Sequence, residues 1–467
     1  MAAPPAIAAR PGGPPHLPPL IMFGVTDQES RNAIAAAASP ITGADSDYDG
    51  LLDLIGEARF VLLGEATHGT EEFYAERARI SARLIAEKGF HAVAVEADWP
   101  DAYRVNRFVR GQSDDASAAA ALAGFQRFPQ WMWRNSAVLK CVEWLRHYNA
   151  GRPWHAQAGV YGLDLYSLHA SMGEVLDYLQ QVDPIAAHDA RAYFACFDQH
   201  GSDTQAYGYA AGLGLSASCQ DAVRTMLNKL MRRQETYAGR GKDAQDAFFD
   251  AKQNARLIKN AEEYYRTMFR GRVSSWNLRD KHMADTLDDL AQHLASVTGQ
   301  PARIVVWAHN SHLGDARATH MGELGEWNLG QLVRERYPGQ ARLIGFSTYD
   351  GQVMAASQWD GPAQRKDIVP ALPGSYEALL HEAKEGNYFL PLTCGSAATK
   401  MLQRRRLQRA IGVIYRPETE RASHYFDACM HDQFDAVIQI DHTTALTPLP
   451  ATPDVSADIP ETYPEGF

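Results

Sequence analysis

The sequence predicts an α/β fold: a largely parallel central sheet with helices on both faces and a helical insertion. Three observations predict it. Short β-branched runs recur with helical stretches between them, which is the pattern of a parallel sheet covered on both sides. The first two runs are joined by an amphipathic stretch, as in a βαβ unit. A long middle segment, from about 168 to 298, holds helical patterns and no strand pattern.

Taken in order, the predicted strands are Phe60–Gly64, Ala92–Glu96, Gly159–Leu163, Arg303–Ala308, Arg342–Phe346, Gly412–Tyr415 and Ala436–Ile440. Between the first two, Glu71–Glu87 carries Phe73, Ala78, Ile80, Leu84 and Ile85 on one helical face, and Gly89 stops the helix. Within the insertion, Ala244–Phe269 reads as one helix with Phe248, Phe249, Ala255, Ile258 and Ala261 inward. Its Tyr264, Tyr265, Arg266, Arg270 and Arg272 read as a solvated helix surface. Gly374–Gly386 reads as a connecting helix, and Arg404–Arg406 as a solvated basic turn.

The chain of 467 residues is 45% hydrophobic, enough to fold without covalent staples. Its 45 Lys+Arg against 56 Asp+Glu give a net charge of −11, which argues against nucleic acid or an anionic membrane as partner. Cys141, Cys196, Cys219, Cys394 and Cys429 are odd in number and form no C-x-x-C pair, so they are expected to be reduced packing residues. Residues 1–20, rich in Ala and Pro, read as a disordered tail rather than a secretory signal, and 447–467 as a second tail, leaving 21–446 as the folded unit. No run approaches the roughly 18–20 apolar residues of a membrane span, so a cytoplasmic location is expected.

In such a sheet the loops leaving the carboxyl ends of the strands converge, so polar residues there meet despite large sequence separation. The first strand is followed by Gly64-Glu65-Ala66-Thr67-His68-Gly69-Thr70, the second by Glu96-Ala97-Asp98-Trp99, the third by Asp164 and the fourth by His309-Asn310-Ser311-His312. His68 is a candidate general base, with Glu65 or Glu96 fixing its tautomer. Gly69 relaxes the turn and Thr70 is a candidate helix cap. Glu96 ends an apolar strand, where an ionised carboxylate needs a cation, and Arg77 is one candidate. His309 and His312, three apart, can share one face of a turn, which makes both candidates to approach a substrate oxygen or a metal. Asp98 and Asp164 read as supporting residues, and Trp276–Met283, with Asn277, Arg279 and Asp280, reads as a helix start with an internal ion pair. Some of Phe128, Trp131, Trp133 and Tyr166 are expected in the pocket. No G-x-S-x-G elbow, Walker loop or H-E-x-x-H is present.

Together, Leu63–Gly69, Arg77, Val95-Glu96-Ala97, Asn277-Leu278-Arg279-Asp280 with Met283, and Ala308–His312 resemble the erythromycin esterase family over about residues 30 to 440. The segments Gly314–Thr319 and Gln358–Pro362 look more like its broad bacterial, succinoglycan-biosynthesis-like branch than its antibiotic-inactivating members. The resemblance implies a helical subdomain, a deep cleft, and hydrolysis of a carboxylic ester by activated water without a covalent intermediate. It implies His68 and His309 as catalytic histidines, Glu65 and Glu96 as their carboxylate partners and Arg77 as a supporting cation. His312, Asn310, Asp98 and Trp99 are expected to contact substrate. The expectation is therefore a metal- and cofactor-independent hydrolase of a small-molecule ester, with His68 as base and Arg77 or the second histidine stabilising the oxyanion. The alternatives are a metallohydrolase built on Glu65, His68, His309 and Glu96, and a non-catalytic accessory protein of polysaccharide metabolism.

Overall fold

The computed structural model describes residues 27–239 and 241–450. Its strands, in chain order, are β1 (Ser39–Pro40), β2 (Phe60–Leu63), β3 (Ala92–Asp98), β4 (Gly159–Asp164), β5 (Ile304–Trp307), β6 (Ala341–Ser347), β7 (Asp350–Ala355), β8 (Gln364–Ile368), β9 (Tyr388–Pro391), β10 (Arg406–Arg409), β11 (Tyr425–Ala428), β12 (Ala436–Gln439) and β13 (His442–Thr443). Eight of them form one sheet in the order β1-β9-β12-β6-β2-β5-β3-β4. From β12 to β4 every neighbouring pair is parallel, and β9 runs antiparallel to both β12 and β1. A three-stranded sheet, β13-β7-β8, and the hairpin β10–β11 lie beside it.

The alternation along each strand divides two cores. Phe60 and Leu62 of β2 face one side with Ala92, Ala94, Ile304 and Val306, while Val61 and Leu63 face the other with Val93, Val95, Val305 and Trp307. The second side is covered by helix α1 (Glu71–Lys88) through Phe73, Tyr74, Ile80 and Leu84, and by the helix Ser136–Asn149. The first side is covered by helical residues between 168 and 298, where no described residue is in a strand. The core of this helical region is continuous with that face of the sheet, because Leu257, Ile258 and Leu287 join the same cluster as Leu62 and Ala94.

Helix α1 ends at Gly89, which adopts φ 65°, the left-handed conformation that lets its amide close the last turn onto Leu84. Its start differs from expectation: the Thr70 side chain caps nothing and instead meets the Thr67 hydroxyl, while the Glu71 amide is satisfied by the Thr444 carbonyl at 2.9 Å. Gly412–Tyr415 is not a strand. Only isolated bridges form there, Ile411 to Thr67 and Ile414 to Ala356, because the segment crosses between two neighbours instead of running along either.

Helix α2 (Trp99–Val109) follows β3, and the insertion contributes two long helices, α3 (Lys242–Thr267) and α4 (Arg272–Thr298). Trp276–Met283 thus lies inside a helix that begins at Arg272, not at a helix start. Tyr264 and Tyr265 are fully buried rather than solvated; the Tyr265 hydroxyl donates to the Tyr166 carbonyl at 2.9 Å, which a surface residue would not do. Cys196 and Cys219 form a disulfide, with Cα atoms 5.8 Å apart, and so are not reduced thiols. The segment between them folds back around the Tyr207 hydroxyl, which accepts the Cys219 amide at 2.8 Å. Arg406 is likewise not in a solvated turn: it lies buried in β10, where it pairs with Asp27 and donates to the Gly374 carbonyl. Of the expected tails, 1–20 lies outside the described residues, as does 451–467. Residues 447–450 are docked, with the Leu449 amide on the Arg134 carbonyl at 2.9 Å. Among the described residues no helix is long and apolar enough to cross a membrane.

Candidate active site

The parallel strands β2, β3, β4 and β5 end at one edge, and their first loop residues meet there. Close backbone approach makes this possible. A Cβ on Gly64 would lie 2.0 Å from the Asn310 Oδ1, and one on Gly69 would lie 1.9 Å from the Met354 carbonyl, so both positions require glycine. Between Val95 and Asp98 the β3–β4 register shifts, which sets Asp98 beside Asp164.

The Glu65 carboxylate is buried and holds two partners. Its Oε1 lies 2.9 Å from His68 Nδ1 and its Oε2 accepts from Arg77 Nη2 at 2.7 Å. The Arg77 guanidinium is fully buried, stacked 4.3 Å from the Tyr74 ring and 5.0 Å from Trp307. With a carboxylate at Nδ1, His68 carries its proton there and leaves the Nε2 lone pair free. His68 lines a cavity of about 120 Å³.

Glu96 belongs to a different network, and its cation is Arg279, not Arg77. Glu96 Oε1 accepts from Arg279 Nη2 at 2.8 Å, and Oε2 accepts the His309 backbone amide at 2.8 Å. Arg279 also binds Asp164 in fork geometry, at 3.0 Å from Nε and 2.7 Å from Nη2. His312 Nδ1 sits 2.9 Å from an Asp280 oxygen, its Nε2 is 3.4 Å from Glu96 and 3.1 Å from Arg279, and its ring stacks on Trp276 at 4.4 Å. Burial opposes charge on both Glu96 and His312, yet attraction between opposite charges wins. His312 holds Glu96 well below the usual carboxylate range, and Asp280 with Glu96 pushes His312 up to about 10.

His309 behaves oppositely. Burial, reinforced by His68 nearby, holds its pKa well below the usual imidazole value, so it is neutral near pH 7. Its Nδ1 accepts the Ser311 amide at 3.2 Å and lies 2.8 Å from the Ser311 hydroxyl, so the proton resides on Nε2. That Nε2 is buried and makes no full hydrogen bond, the Ala66 carbonyl being its nearest acceptor. The His68 and His309 rings stand 4.8 Å apart.

Glu65, His68, Arg77, Glu96 and His309 are thus gathered as expected, in two networks. The expected contact residues divide. Asp98 lines the cavity and pairs with Arg127 at 2.9 Å. His312 is buried behind Arg279 with both ring nitrogens engaged. Asn310 clasps β6, donating to the Phe346 carbonyl at 2.7 Å. Trp99 turns away from the cavity and donates to Asp250 of α3 at 2.7 Å. All three lack the open polar atom a substrate contact requires. Phe128, Trp133 and Tyr166 line the cavity, joined by Phe125 and Trp359. Arg279 and Asp280, read from sequence as an internal ion pair, instead point to different partners. The signal was an adjacent charged pair flanked by Trp276, Leu278 and Met283, an apolar setting that a solvated helix start lacks. Asp101 and Arg127 carried no signal. Among the described residues no group of three or more His, Cys, Asp or Glu side chains could hold a metal ion.

The fold and this edge define an α/β protein with a paired-histidine, paired-carboxylate cleft at the carboxyl ends of parallel strands. The chain belongs to the erythromycin esterase family, whose model, described as erythromycin esterase, matches residues 85–443. Among its relatives, YbfO of Bacillus subtilis (strain 168) is 22% identical over 441 residues, covering 89% of this chain and 90% of that one. Erythromycin esterase type II of Escherichia coli is 23% identical over 326 residues, covering 66% and 73%. A Bacillus cereus protein of known crystal structure shares the fold with a TM-score of 0.74 at 21% identity, covering 91% of this chain and all of that one. Family membership supports a hydrolase.

Proposed function

We propose that the protein hydrolyses a carboxylic ester with water activated by His68 and without a covalent intermediate. One observation carries this reading: the Glu65–His68 contact of 2.9 Å leaves a basic nitrogen facing the cavity, with Arg77 fixing the far side of the carboxylate. Water attacks the carbonyl carbon as His68 Nε2 takes its proton. The carbonyl oxygen, now an oxyanion, is assigned to His309 Nε2–H, a neutral donor whose ring stands 4.8 Å from His68 and which must be uncovered as the substrate enters. Collapse expels the alkoxide, which takes the proton back from His68. Glu96 serves by fixing the His309 backbone and Arg279. The family match begins beyond Glu65, His68 and Arg77, so their roles rest on this geometry.

A cavity of about 120 Å³ holds an ester group and a small substituent, whereas a macrolactone would have to extend out of it. Activated aryl esters are therefore the expected substrates and erythromycin a poor one. The test is release of p-nitrophenol from simple esters, before and after exhaustive chelation, beside erythromycin at low concentration. Unchanged turnover after chelation is expected. Loss of activity that a divalent ion restores would replace the mechanism with a metal-assisted one, and efficient macrolide opening would overturn the substrate assignment.

A further inference from the structure

The cavity that His68 lines also carries acidic, basic and aromatic side chains in its wall. Its carboxylates are Glu96, Asp98, Asp101 and Asp164, and its arginines are Arg127 and Arg279. Both arginines are committed, Arg127 to Asp98 and Arg279 to Asp164 and Glu96. Asp101, in the first turn of α2, makes no hydrogen bond or ion pair among the described residues. Its carboxylate packs against Gly124, where a Cβ would come within 2.9 Å of Oδ1. The wall also holds Phe125, Phe128, Trp133 and Trp359, with Phe128 and Trp359 edge-to-face at 5.0 Å and Phe125 and Trp133 tilted at 6.2 Å. The wall already hosts cations: the Arg127 and Arg279 guanidiniums lie 4.8 and 5.0 Å from the Tyr166 ring.

Resting on the hydrolase reading above, we infer that the part of the cavity beside Asp101 is a specificity subsite for a cationic amine, so that the substrate is an ester bearing an ammonium group, with Asp101 as the specificity-determining residue. A carboxylate with arginines nearby but none in contact, beside an aromatic wall, is a poor host for neutral or anionic groups, since burial leaves its charge only partly compensated. It is a good host for an ammonium, which supplies the missing charge and presents apolar methyl or methylene surface to the rings. Asp101 shows the strain of its isolation. Burial first, then Asp98 and Glu174, push its pKa up to about 8 against the weaker pull of Arg127 and Arg104, and a fixed positive charge beside it would reverse that push.

The test compares two acetate esters of nearly equal shape, 3-(trimethylammonio)phenyl acetate and 3-tert-butylphenyl acetate. The native protein should prefer the cation by at least about tenfold in kcat/KM. Asp101→Asn should bring that ratio to about one, and Asp101→Glu should keep part of it. Equal kcat/KM for the two esters, or an unchanged ratio in Asp101→Asn, overturns the subsite while leaving the hydrolase reading intact. If neither ester is cleaved, the hydrolase reading has failed, and phenyltrimethylammonium binding, followed by tryptophan fluorescence, decides the subsite separately. Binding that weakens at least about tenfold in Asp101→Asn supports it, and absent or unaltered binding overturns it.

Discussion

Glu65 and Glu96 begin alike, as acids at the ends of neighbouring parallel strands, and end in opposite electrostatic situations. Glu65 draws its partners from its own βαβ unit: His68 is three residues away and Arg77 twelve. Glu96 draws Arg279 from 183 residues away and the His309 amide from 213. The first network is a single short relay that leaves a nitrogen open to the cavity. The second is denser, with Glu96, Asp164 and Asp280 surrounding Arg279 and His312. A local constellation can thus supply a reactive group, while the long-range one supplies the rigid frame that orients it.

The sharpest way to separate the two is to disable the proposed base. His68→Asn keeps a hydrogen-bonding edge but no titratable nitrogen, so kcat should fall about 10² to 10⁴-fold with KM little changed. Stopped assays with an aryl ester measure it, and near-native kcat in a folded variant would move the base elsewhere. Removing the frame should act on stability first: Arg279→Met leaves Asp164 buried without its cation and Glu96 with His312 alone, and should cost about 3–5 kcal/mol in urea unfolding. If that variant is as stable as the native protein, the Glu96–Arg279 network is not a frame. His309→Asn, removing the Nε2–H, should lower kcat by about 10² to 10³. A fall in KM alone would contradict an oxyanion role.

A finer distinction lies in pH. Because the His312 pKa is raised above its ordinary value of 6.5 to about 10, the stability it confers is complete below about 6.5 and is lost as pH rises through 10. Unfolding curves from pH 7 to 10 should therefore fall more steeply for the native protein than for His312→Gln. Parallel curves would mean that His312 is not held protonated. The smallest effect is expected from Ser311→Ala, which removes the hydroxyl beside His309 Nδ1 but leaves the Ser311 amide in place: about 1 kcal/mol of stability and a modest loss of kcat.

The legible part of the site follows the same division. Leu63–Gly69 announced itself because an acid and a histidine three apart at a strand end are a local pattern, and Phe60–Leu63 and Ala92–Asp98 were legible from β-branched runs. Arg279 was misread because adjacent Asp280 offered a nearer partner. Only the path of α4 across the sheet edge shows that Arg279 turns to Asp164 and Glu96 while Asp280 turns to His312. Asn310 and Trp99 were placed in the pocket by sequence proximity to His309 and Asp98, yet neighbouring residues on a loop or first helical turn face different ways.

The sequence by itself determined the alternation of strands and helices, the helical character of 168–298 and the nearness of an acid to His68, though not whether Glu65 or Glu96 holds it, since all three depend on periodicity or on spacings of a few residues. Tertiary structure alone decided which cation each buried carboxylate receives, that Cys196 meets Cys219, and that Asp101 lines an aromatic-walled cavity with no arginine in contact. Those outcomes depend on which strand ends and helices are brought together, and a buried charge takes the partner that packing places beside it, not the one nearest along the chain.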